Sequence, residues 1–361
     1  MSNDRIYNFS AGPSMLPLSV LEKAASEMTN YRSCGMSVME MSHRSKVYID
    51  IFDTVKADLK RIMNIPDTHE ILFMQGGASM QFSAIPLNLM GPDGSADYAI
   101  TGNFANNAYK EAKKYGKVRI AASTEANNHT TIPQQAELDL DPKASYFYYC
   151  ANNTIFGTEW NYIPETGDVP ICCDMSSSIL SRKVDVSKYG ILYGGVQKNM
   201  APAGMAVVII DKALAGKELP YTPLMLNYKT MIDKDSMYNT PPCYTIYMLG
   251  LVLKWVDENG GLDGMEALRN TRSGLLYDYL DESKFFHGIA SKEARSGMNV
   301  TFRTDSKELD NEFVKAAADA GFVNLAGHRI AGGMRASIYN AMPVEGVEKL
   351  VAFMKDFEAK H

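Results

Sequence analysis

The chain lacks the features that mark several large classes of protein. Its apolar runs are too short to cross a bilayer, and it does not start with a charged segment followed by an apolar stretch, as a secretory signal would. Its 36 Lys and Arg residues against 42 Asp and Glu residues give a formal net charge of -6, so no basic excess points to nucleic acid. We therefore expect a soluble, cytoplasmic protein with no nucleic acid or membrane partner.

Cysteine and histidine are also scarce. The five cysteines include Cys172 and Cys173, adjacent in an apolar run, which is typical of reduced core residues rather than of a disulfide framework. The six histidines show no His-Glu-x-x-His pattern, so we predict no metal site.

Short apolar strands alternate with apolar helical stretches along most of the chain. This order is typical of an α/β fold, a mostly parallel sheet covered by helices. We predict strands at 70–75, 98–101, 117–121, 145–150, 170–173, 190–193 and 206–210, and an apolar helix over 244–256 that ends at Asn259-Gly260-Gly261. Strands at 299–303 and 334–339, with helices at 309–320 and 344–357, indicate a small α+β domain at the C-terminal end.

Lys198 is the only charged or histidine residue between Tyr189 and Ile210. It lies in a Gly- and Ala-rich turn between two apolar runs that we interpret as buried strands. Burial disfavours a charged amine and leaves it nucleophilic towards aldehydes, as a Schiff-base lysine requires. The alternative is a structural lysine at a strand end whose amine reaches solvent.

Asp174 ends another apolar run, 169–173, and precedes three serines. A carboxylate at the end of a buried strand needs a cation or several hydrogen-bond donors, and the protonated ring nitrogen of pyridoxal phosphate is such a cation. The alternative is an aspartate that caps the next segment through local backbone amides.

A third candidate element lies upstream, where the strand 70–75 meets Gly76-Gly77-Ala78-Ser79 and an apolar helical stretch, 80–90. A strand, a glycine turn and a helix N-terminus together form an anion site, to which the Ser79 hydroxyl can add a donor. The spacing matches neither the dinucleotide fingerprint nor the P-loop.

These segments together resemble the phosphoserine aminotransferases, a family of class V pyridoxal-phosphate-dependent aminotransferases. The resemblance runs from the first ten residues to the last helix and rests on these motifs: Asn8-Phe9-Ser10-Ala11-Gly12-Pro13, Met41-Ser42-His43-Arg44-Ser45, Gly76-Gly77-Ala78-Ser79, Asp174-Met175-Ser176-Ser177, Gly195-Val196-Gln197-Lys198-Asn199, Asn239-Thr240-Pro241-Pro242, His328-Arg329 and Gly333-Met334-Arg335-Ala336-Ser337.

The resemblance implies the fold and its division. It implies the type I fold of pyridoxal-phosphate-dependent transferases, with a seven-stranded, mostly parallel sheet. An N-terminal arm (1–15) would pack with a small C-terminal α+β domain (261–361), beside a large cofactor-binding domain (16–260).

The resemblance also assigns the cofactor site. Lys198 would hold pyridoxal 5'-phosphate covalently, as an aldimine, and would move the proton between substrate and cofactor, while Asp174 would pair with the ring nitrogen. The remaining assignments are Ala78 and Ser79 on the phosphate, Gln197 and Thr154 as further hydrogen-bonding groups, Phe104 stacked on the ring, and Asn239 and Thr240 reaching the phosphate from the neighbouring subunit of a homodimer. As alternatives, Phe104 is a core aromatic, and Thr154, Asn239 and Thr240 are turn residues.

For the substrates, the resemblance implies transfer of the amino group of L-glutamate to 3-phosphohydroxypyruvate, giving O-phospho-L-serine and 2-oxoglutarate in serine biosynthesis. The family also uses a longer homologue, giving 4-phosphohydroxy-L-threonine in pyridoxine biosynthesis. Arg335 is the candidate for the carboxylate at the reacting end, because its planar guanidinium can bind a carboxylate through two hydrogen bonds. The candidates for the far anionic group are His43, Arg44, His328 and Arg329.

Three residues depart from the family pattern. Ser79 stands where some bacterial members have arginine, Phe104 where tryptophan is usual, and Ala11 where the N-terminal motif has a serine associated with glutamate binding. Three alternatives remain. A cysteine desulfurase of the same class would need a mobile reactive cysteine in a loop, for which Cys172 and Cys173 are poor candidates, and an aminotransferase for glyoxylate or pyruvate would need no site for a far anion. The third is a nucleotide-binding or non-catalytic α/β protein in which Lys198 is structural.

Overall fold

The structure, a computed structural model, describes residues 5–361. Its strands are β1 Tyr7–Asn8, β2 His69–Gln75, β3 Ser95–Ile100, β4 Lys117–Ser123, β5 Tyr146–Cys150, β6 Asn152–Asn153, β7 Thr158–Glu159, β8 Ile171–Asp174, β9 Ile191–Gly195, β10 Met205–Asp211, β11 His287–Gly288, β12 Asn299–Arg303, β13 Phe322–Val323 and β14 Met334–Ser337. Its α-helices are α1 Leu18–Ser26, α2 Lys46–Ile62, α3 Gly77–Leu89, α4 Asn103–Ala112, α5 Tyr228–Asp233, α6 Cys243–Glu258, α7 Gly261–Glu282, α8 Lys307–Asp319 and α9 Val344–Glu358.

Seven strands form the central sheet in the order β2-β10-β9-β8-β5-β3-β4. Strand β10 is antiparallel to both of its neighbours, and the other adjacent pairs are parallel. Every residue of β8 and β9 is buried, because helices cover both faces of the sheet. The predicted α/β fold with a mostly parallel seven-stranded sheet is confirmed.

The two faces of this sheet belong to separate apolar cores. On one face, Val207 of β10 packs in a cluster with Phe52 of α2 and Leu249 of α6. On the other face, Val208 of β10 packs with Ile85 of α3. Alternate side chains of one strand therefore serve opposite cores, which is why these strands are apolar at consecutive positions.

The parallel strands end together at one edge of the sheet. Strand β8 ends at Asp174, which lies opposite Tyr193 of β9, and the turn that follows β9 carries Lys198. Strand β2 ends at the same edge, since Gln75 pairs with Met205, the first residue of the antiparallel β10. Segments far apart in the sequence therefore meet beyond this edge.

The C-terminal part of the chain contains a second sheet, β11-β12-β14, with an apolar cluster of its own. That cluster includes the fully buried Phe9, and β1 pairs in parallel with β13, Tyr7 opposite Phe322. The N-terminal segment thus packs on C-terminal elements. The division into 1–15, 16–260 and 261–361 stays a prediction, and residues 1–4 of the predicted arm lie outside the described residues.

The sequence prediction missed one long helix. The predicted end of α6 near Asn259 is close to the observed end at Glu258, but α7 begins at once at Gly261 and runs for 22 residues. In residues 5–361, no helix has the length and apolar character needed to span a membrane. The same residues contain no group of three or more His, Cys, Asp or Glu side chains arranged to hold a metal ion.

Candidate active site

A cavity of about 260 Å³ lies beyond the edge where the parallel strands end. It is lined by seven of the residues predicted to form the site: Ala78, Ser79, Phe104, Thr154, Asp174, Gln197 and Lys198. The glycine turn before α3 and the segments after β5, β8 and β9 contribute to its wall. The three candidate elements, which the sequence spreads from Gly76 to Lys198, are therefore joined in one cavity.

Lys198 is half-buried in this cavity. Its amine donates a hydrogen bond to the hydroxyl of Thr154, with an Nζ to Oγ1 distance of 2.8 Å. The same nitrogen lies 5.4 Å from the centre of the Phe104 ring. The amine is thus held beside an aromatic face rather than extended into solvent.

Asp174 lies on the floor of the cavity with only 4% of its surface exposed. One carboxylate oxygen accepts a hydrogen bond of 2.8 Å from the backbone amide of Ser176. The pKa values of the Tyr148 and Tyr193 hydroxyls are raised well above the usual range for tyrosine. Burial is the largest cause, and the charge of Asp174 is the second. This bond to a nearby backbone amide is the alternative role that the sequence suggested for Asp174. It is present, and the carboxylate nevertheless lines the cavity.

The glycine turn brings a helix N-terminus to the cavity. Gly76 has a φ of 90°, and a Cβ on it would lie 2.9 Å from Cβ of Met80, so both the backbone and the space require glycine. Among the described residues, no side chain caps the first turn of α3. The free amides and the helix dipole therefore form an anion site next to Ala78 and Ser79.

Arg335 approaches the same site from β14. Its Nη1 donates to the backbone carbonyl of Thr154 at 3.2 Å, and its Nε finds no hydrogen-bond partner within residues 5–361. Burial lowers the pKa of Arg335, and burial, followed by the charges of Arg335 and Arg329, lowers the pKa of His328. A half-buried cation with a free donor is suited to bind an anion.

Arg335 and the remaining predicted residues are not among those that line the cavity in the single chain. His43 and His328 are half-buried, and Arg44 and Arg329 are exposed. Asn239 and Thr240 are exposed beside the end of β2, where Gln75 Nε2 donates to the Thr240 carbonyl at 2.9 Å. The roles given to all the site residues by the resemblance remain predictions.

Three polar residues of the wall were not singled out as site residues: Asn152, Ser176 and Ser177. Asn152 Nδ2 donates to Ser177 Oγ and to Asn299 Oδ1, both at 2.8 Å. A signal for Asn152 was available in the sequence, because Ala-Asn-Asn-Thr directly follows the buried strand predicted at 145–150 and must reach the same edge of the sheet.

The cavity suits a flat, phosphorylated ring with an aldehyde and a basic nitrogen. It offers an amine for the aldehyde, a carboxylate for a protonated nitrogen, the face of Phe104 for the ring and a helix N-terminus for the phosphate. In addition, Oε1 of Gln197 is buried without a hydrogen-bond partner in the described part of the chain, so an acceptor is left for a ligand.

Comparison with known proteins identifies the class. The profile of the family "Aminotransferase class-V" matches residues 6–350, nearly the whole chain. The chain therefore belongs to the class V aminotransferases, which depend on pyridoxal phosphate, and the resemblance found in the sequence is confirmed.

Within that class the chain belongs to the phosphoserine aminotransferase family. It is 50% identical over 358 residues to a phosphoserine aminotransferase of Bacillus cereus, an alignment that covers 99% of each chain. Its structure matches phosphoserine aminotransferase from Bacillus circulans subsp. alkalophilus with a TM-score of 0.98 and 46% identity, over 99% of each chain. It also matches the pyridoxal-phosphate-bound enzyme from Trichomonas vaginalis, with a TM-score of 0.93 and 38% identity, over 97% of this chain and 100% of that one.

Proposed function

We propose that this protein is a phosphoserine aminotransferase that acts in serine biosynthesis. It transfers the amino group of L-glutamate to 3-phosphohydroxypyruvate, reversibly, and forms O-phospho-L-serine and 2-oxoglutarate. The observation that carries the proposal is one cavity, lined by Asp174, in which the Lys198 amine lies beside the Phe104 ring.

The cofactor assigned to this cavity is pyridoxal 5'-phosphate. Lys198 would hold it covalently, Asp174 would pair with its ring nitrogen, and the first turn of α3 with Ser79 would bind its phosphate. When bound, this cofactor supplies a carrier for the amino group and a ring that withdraws electrons from the substrate.

Lys198 is also the group assigned to proton transfer. Once its amine is released by the incoming substrate, Nζ would take up the proton of the substrate α-carbon and deliver it to the aldehyde carbon of the cofactor. Thr154 supports that role, because its hydroxyl accepts a hydrogen bond from Nζ and keeps the amine over the cavity.

The substrates carry an anionic group at both ends, and the arginines would bind them. Arg335 would bind the carboxylate at the reacting end, since its Nε is unpaired among the described residues and its guanidinium reaches Thr154 at the cavity wall. His43, Arg44, His328 and Arg329 would bind the far anion.

We further propose that the active unit is a homodimer with shared sites. The exposed positions of Arg44, Asn239 and Thr240, outside the cavity of their own chain, support this proposal, because each can then face the cavity of a second copy. We place the protein in the cytoplasm, since its five cysteines are free thiols and three of them are buried.

The test is the visible absorption spectrum of the purified holoenzyme. Glutamate should shift the cofactor band to the amino form, and 3-phosphohydroxypyruvate should restore it, whereas pyruvate or glyoxylate should not. Lys198→Ala should lose this response, while the matched control Lys183→Ala, whose exposed amine pairs with Asp263, should keep it. A protein that stays colourless when pyridoxal phosphate is added would refute the proposal.

A further inference from the structure

The segment 11–14 lies directly against the loop between β9 and β10, which carries Lys198 and is called the lysine loop below. The Ser14 amide donates to the Gln197 carbonyl at 3.0 Å, and the Ser14 hydroxyl donates to the Lys198 carbonyl. A Cβ placed on Gly12 would lie 3.5 Å from Cγ and 3.7 Å from Cε of Lys198, so the backbone of Gly12 runs along the lysine side chain. The segment therefore bonds the backbone of the lysine loop and covers the lysine stem.

Tyr339 holds this segment from the other side. Its hydroxyl donates to the Ala11 carbonyl at 2.9 Å, across 328 positions of sequence. The Tyr339 side chain is buried, and the residue lies just after β14, the strand that carries Arg335. One C-terminal stretch thus provides both the candidate substrate arginine and a contact with the segment that covers Lys198.

The position of the Tyr339 hydroxyl is itself fixed by a buried amide. Asn299 Nδ2 donates to the Tyr339 oxygen at 3.2 Å and to Ser337 Oγ at 2.9 Å. Because the tyrosine oxygen accepts this bond, its one hydrogen is available for Ala11. Asn299 Oδ1 in turn accepts from Asn152, which lines the cavity, at 2.8 Å. A buried, mutually bonded network of this kind has few alternative arrangements.

We propose that Tyr339 is a positioning residue for the reaction: its hydroxyl holds residues 11–14 against Lys198 and so fixes the lysine side chain at the cavity. The proposal rests on the proposed function in one respect, that Lys198 is the residue that holds the cofactor. Ala11 has no polar side chain, so its backbone carbonyl is the polar group through which this position is held.

The test compares Tyr339→Phe with Tyr277→Phe in the holoenzyme. Tyr277 is a matched control, because its hydroxyl also donates to a backbone carbonyl, that of Ser296, at 2.9 Å. Hydrogen exchange of a peptide spanning 11–14, read by mass spectrometry, should become about fivefold faster in Tyr339→Phe, the factor given by one neutral hydrogen bond. Hydroxylamine should remove the visible cofactor band about fivefold faster for the same reason, because the lysine is less covered. The control should match the wild type in both rates.

Unchanged rates in Tyr339→Phe, or an equal rise in Tyr277→Phe, would overturn the proposal. A second variant, Ser14→Ala, releases the segment at its other end. Adding Tyr339→Phe to Ser14→Ala should raise the hydroxylamine rate by less than about fivefold, since the two bonds hold one segment. A further increase of the full fivefold would show that the two bonds act independently and would count against the proposal. Hydrogen exchange needs no catalysis, so this result stands apart from any failure of the glutamate response.

Discussion

Lys198 and Thr154 are joined through the threonine hydroxyl, which accepts a hydrogen bond of 2.8 Å from the lysine amine. Thr154 also accepts a bond through its carbonyl, from Arg335 at 3.2 Å. One buried residue therefore contacts both the candidate base and the candidate carboxylate-binding group, and its two contacts can be separated, because only one of them uses the side chain.

We expect Thr154→Val to slow the half-reaction with glutamate by roughly tenfold, because one hydrogen bond to the reacting amine is lost. The carbonyl contact with Arg335 should remain, so KM for glutamate should change little. Thr154→Ser keeps the hydroxyl and should retain most of the rate. Stopped-flow absorption of the cofactor band measures the rate in the wild type and in both variants. Equal rates for Thr154→Val and Thr154→Ser would count against a role for the threonine hydroxyl.

Asp174→Asn is expected to leave the fold intact and to reduce activity. The amide keeps the size of the carboxylate and an oxygen for the Ser176 amide, whose bond measures 2.8 Å. It loses the charge that would pair with the cofactor ring, and breaking a buried ion pair costs about 3 kcal/mol or more, roughly a hundredfold in rate. The same half-reaction assay measures the rate, and the unfolding midpoint provides the stability control. A variant as fast as the wild type would show that the charge of Asp174 does not serve the cofactor.

Much of the site could be predicted from single residues. Asp174 and Lys198 each follow an apolar run that had to be a buried strand, and polar residues after parallel strands meet at one edge of the sheet. The strand predicted at 299–303 has the observed bounds of β12, and the others differ by a few residues. Strand β3, for example, begins at Ser95, where it pairs with Lys117, and contains the buried Asp97, whose carboxylate accepts from the amide of Asp141.

Two features could not be predicted, because each depends on a distant partner. The bond between Tyr339 and Ala11 joins the two ends of the chain, and no local periodicity encodes such a pairing. Helix α7 was missed because Gly260-Gly261 indicated the end of a helix and a domain boundary. In addition, Arg272, which is buried and donates to the carbonyls of Asn340 and Met342, interrupts the apolar pattern of α7.

Glu159 is expected to be important for stability rather than for chemistry. It is 4% exposed, its carboxylate lies 2.5 Å from Arg269 and 3.4 Å from Arg182, and it accepts from the amide of Gly297. Glu159→Gln should lower the free energy of unfolding by about 3 kcal/mol or more, because two partly buried cations lose their counter-charge. Asp263→Asn, which breaks an exposed pair with Lys183, should change it by less than about 1 kcal/mol. Urea unfolding followed by fluorescence compares the two, and similar losses would contradict the prediction.

His328 should make binding of the phosphate substrate depend on pH. Burial, and then Arg335 and Arg329, lower its pKa, so the free enzyme carries a neutral His328 at about pH 7. A bound anion favours the charged form, so binding is coupled to proton uptake and should tighten as the pH falls from neutral towards the lowered pKa of His328. The ratio of KM for 3-phosphohydroxypyruvate in His328→Asn to that in the wild type should therefore rise at acid pH. Because the substrate titrates equally in both assays, a flat ratio would exclude His328 from the anion site.

The shared site can be tested by mixing two inactive variants, Lys198→Ala and the double variant Asn239→Ala, Thr240→Ala. If Asn239 and Thr240 serve the cavity of the other copy, a mixed dimer has one cavity with both an intact lysine and intact partner residues. Half of randomly exchanged dimers are mixed, so activity should recover to roughly a quarter of the wild type. If these residues serve their own chain, every cavity in the mixture carries a defect and activity stays at the level of the parents. The recovery also requires that the two variants exchange subunits. Co-purification of an untagged subunit with a tagged one verifies this exchange independently.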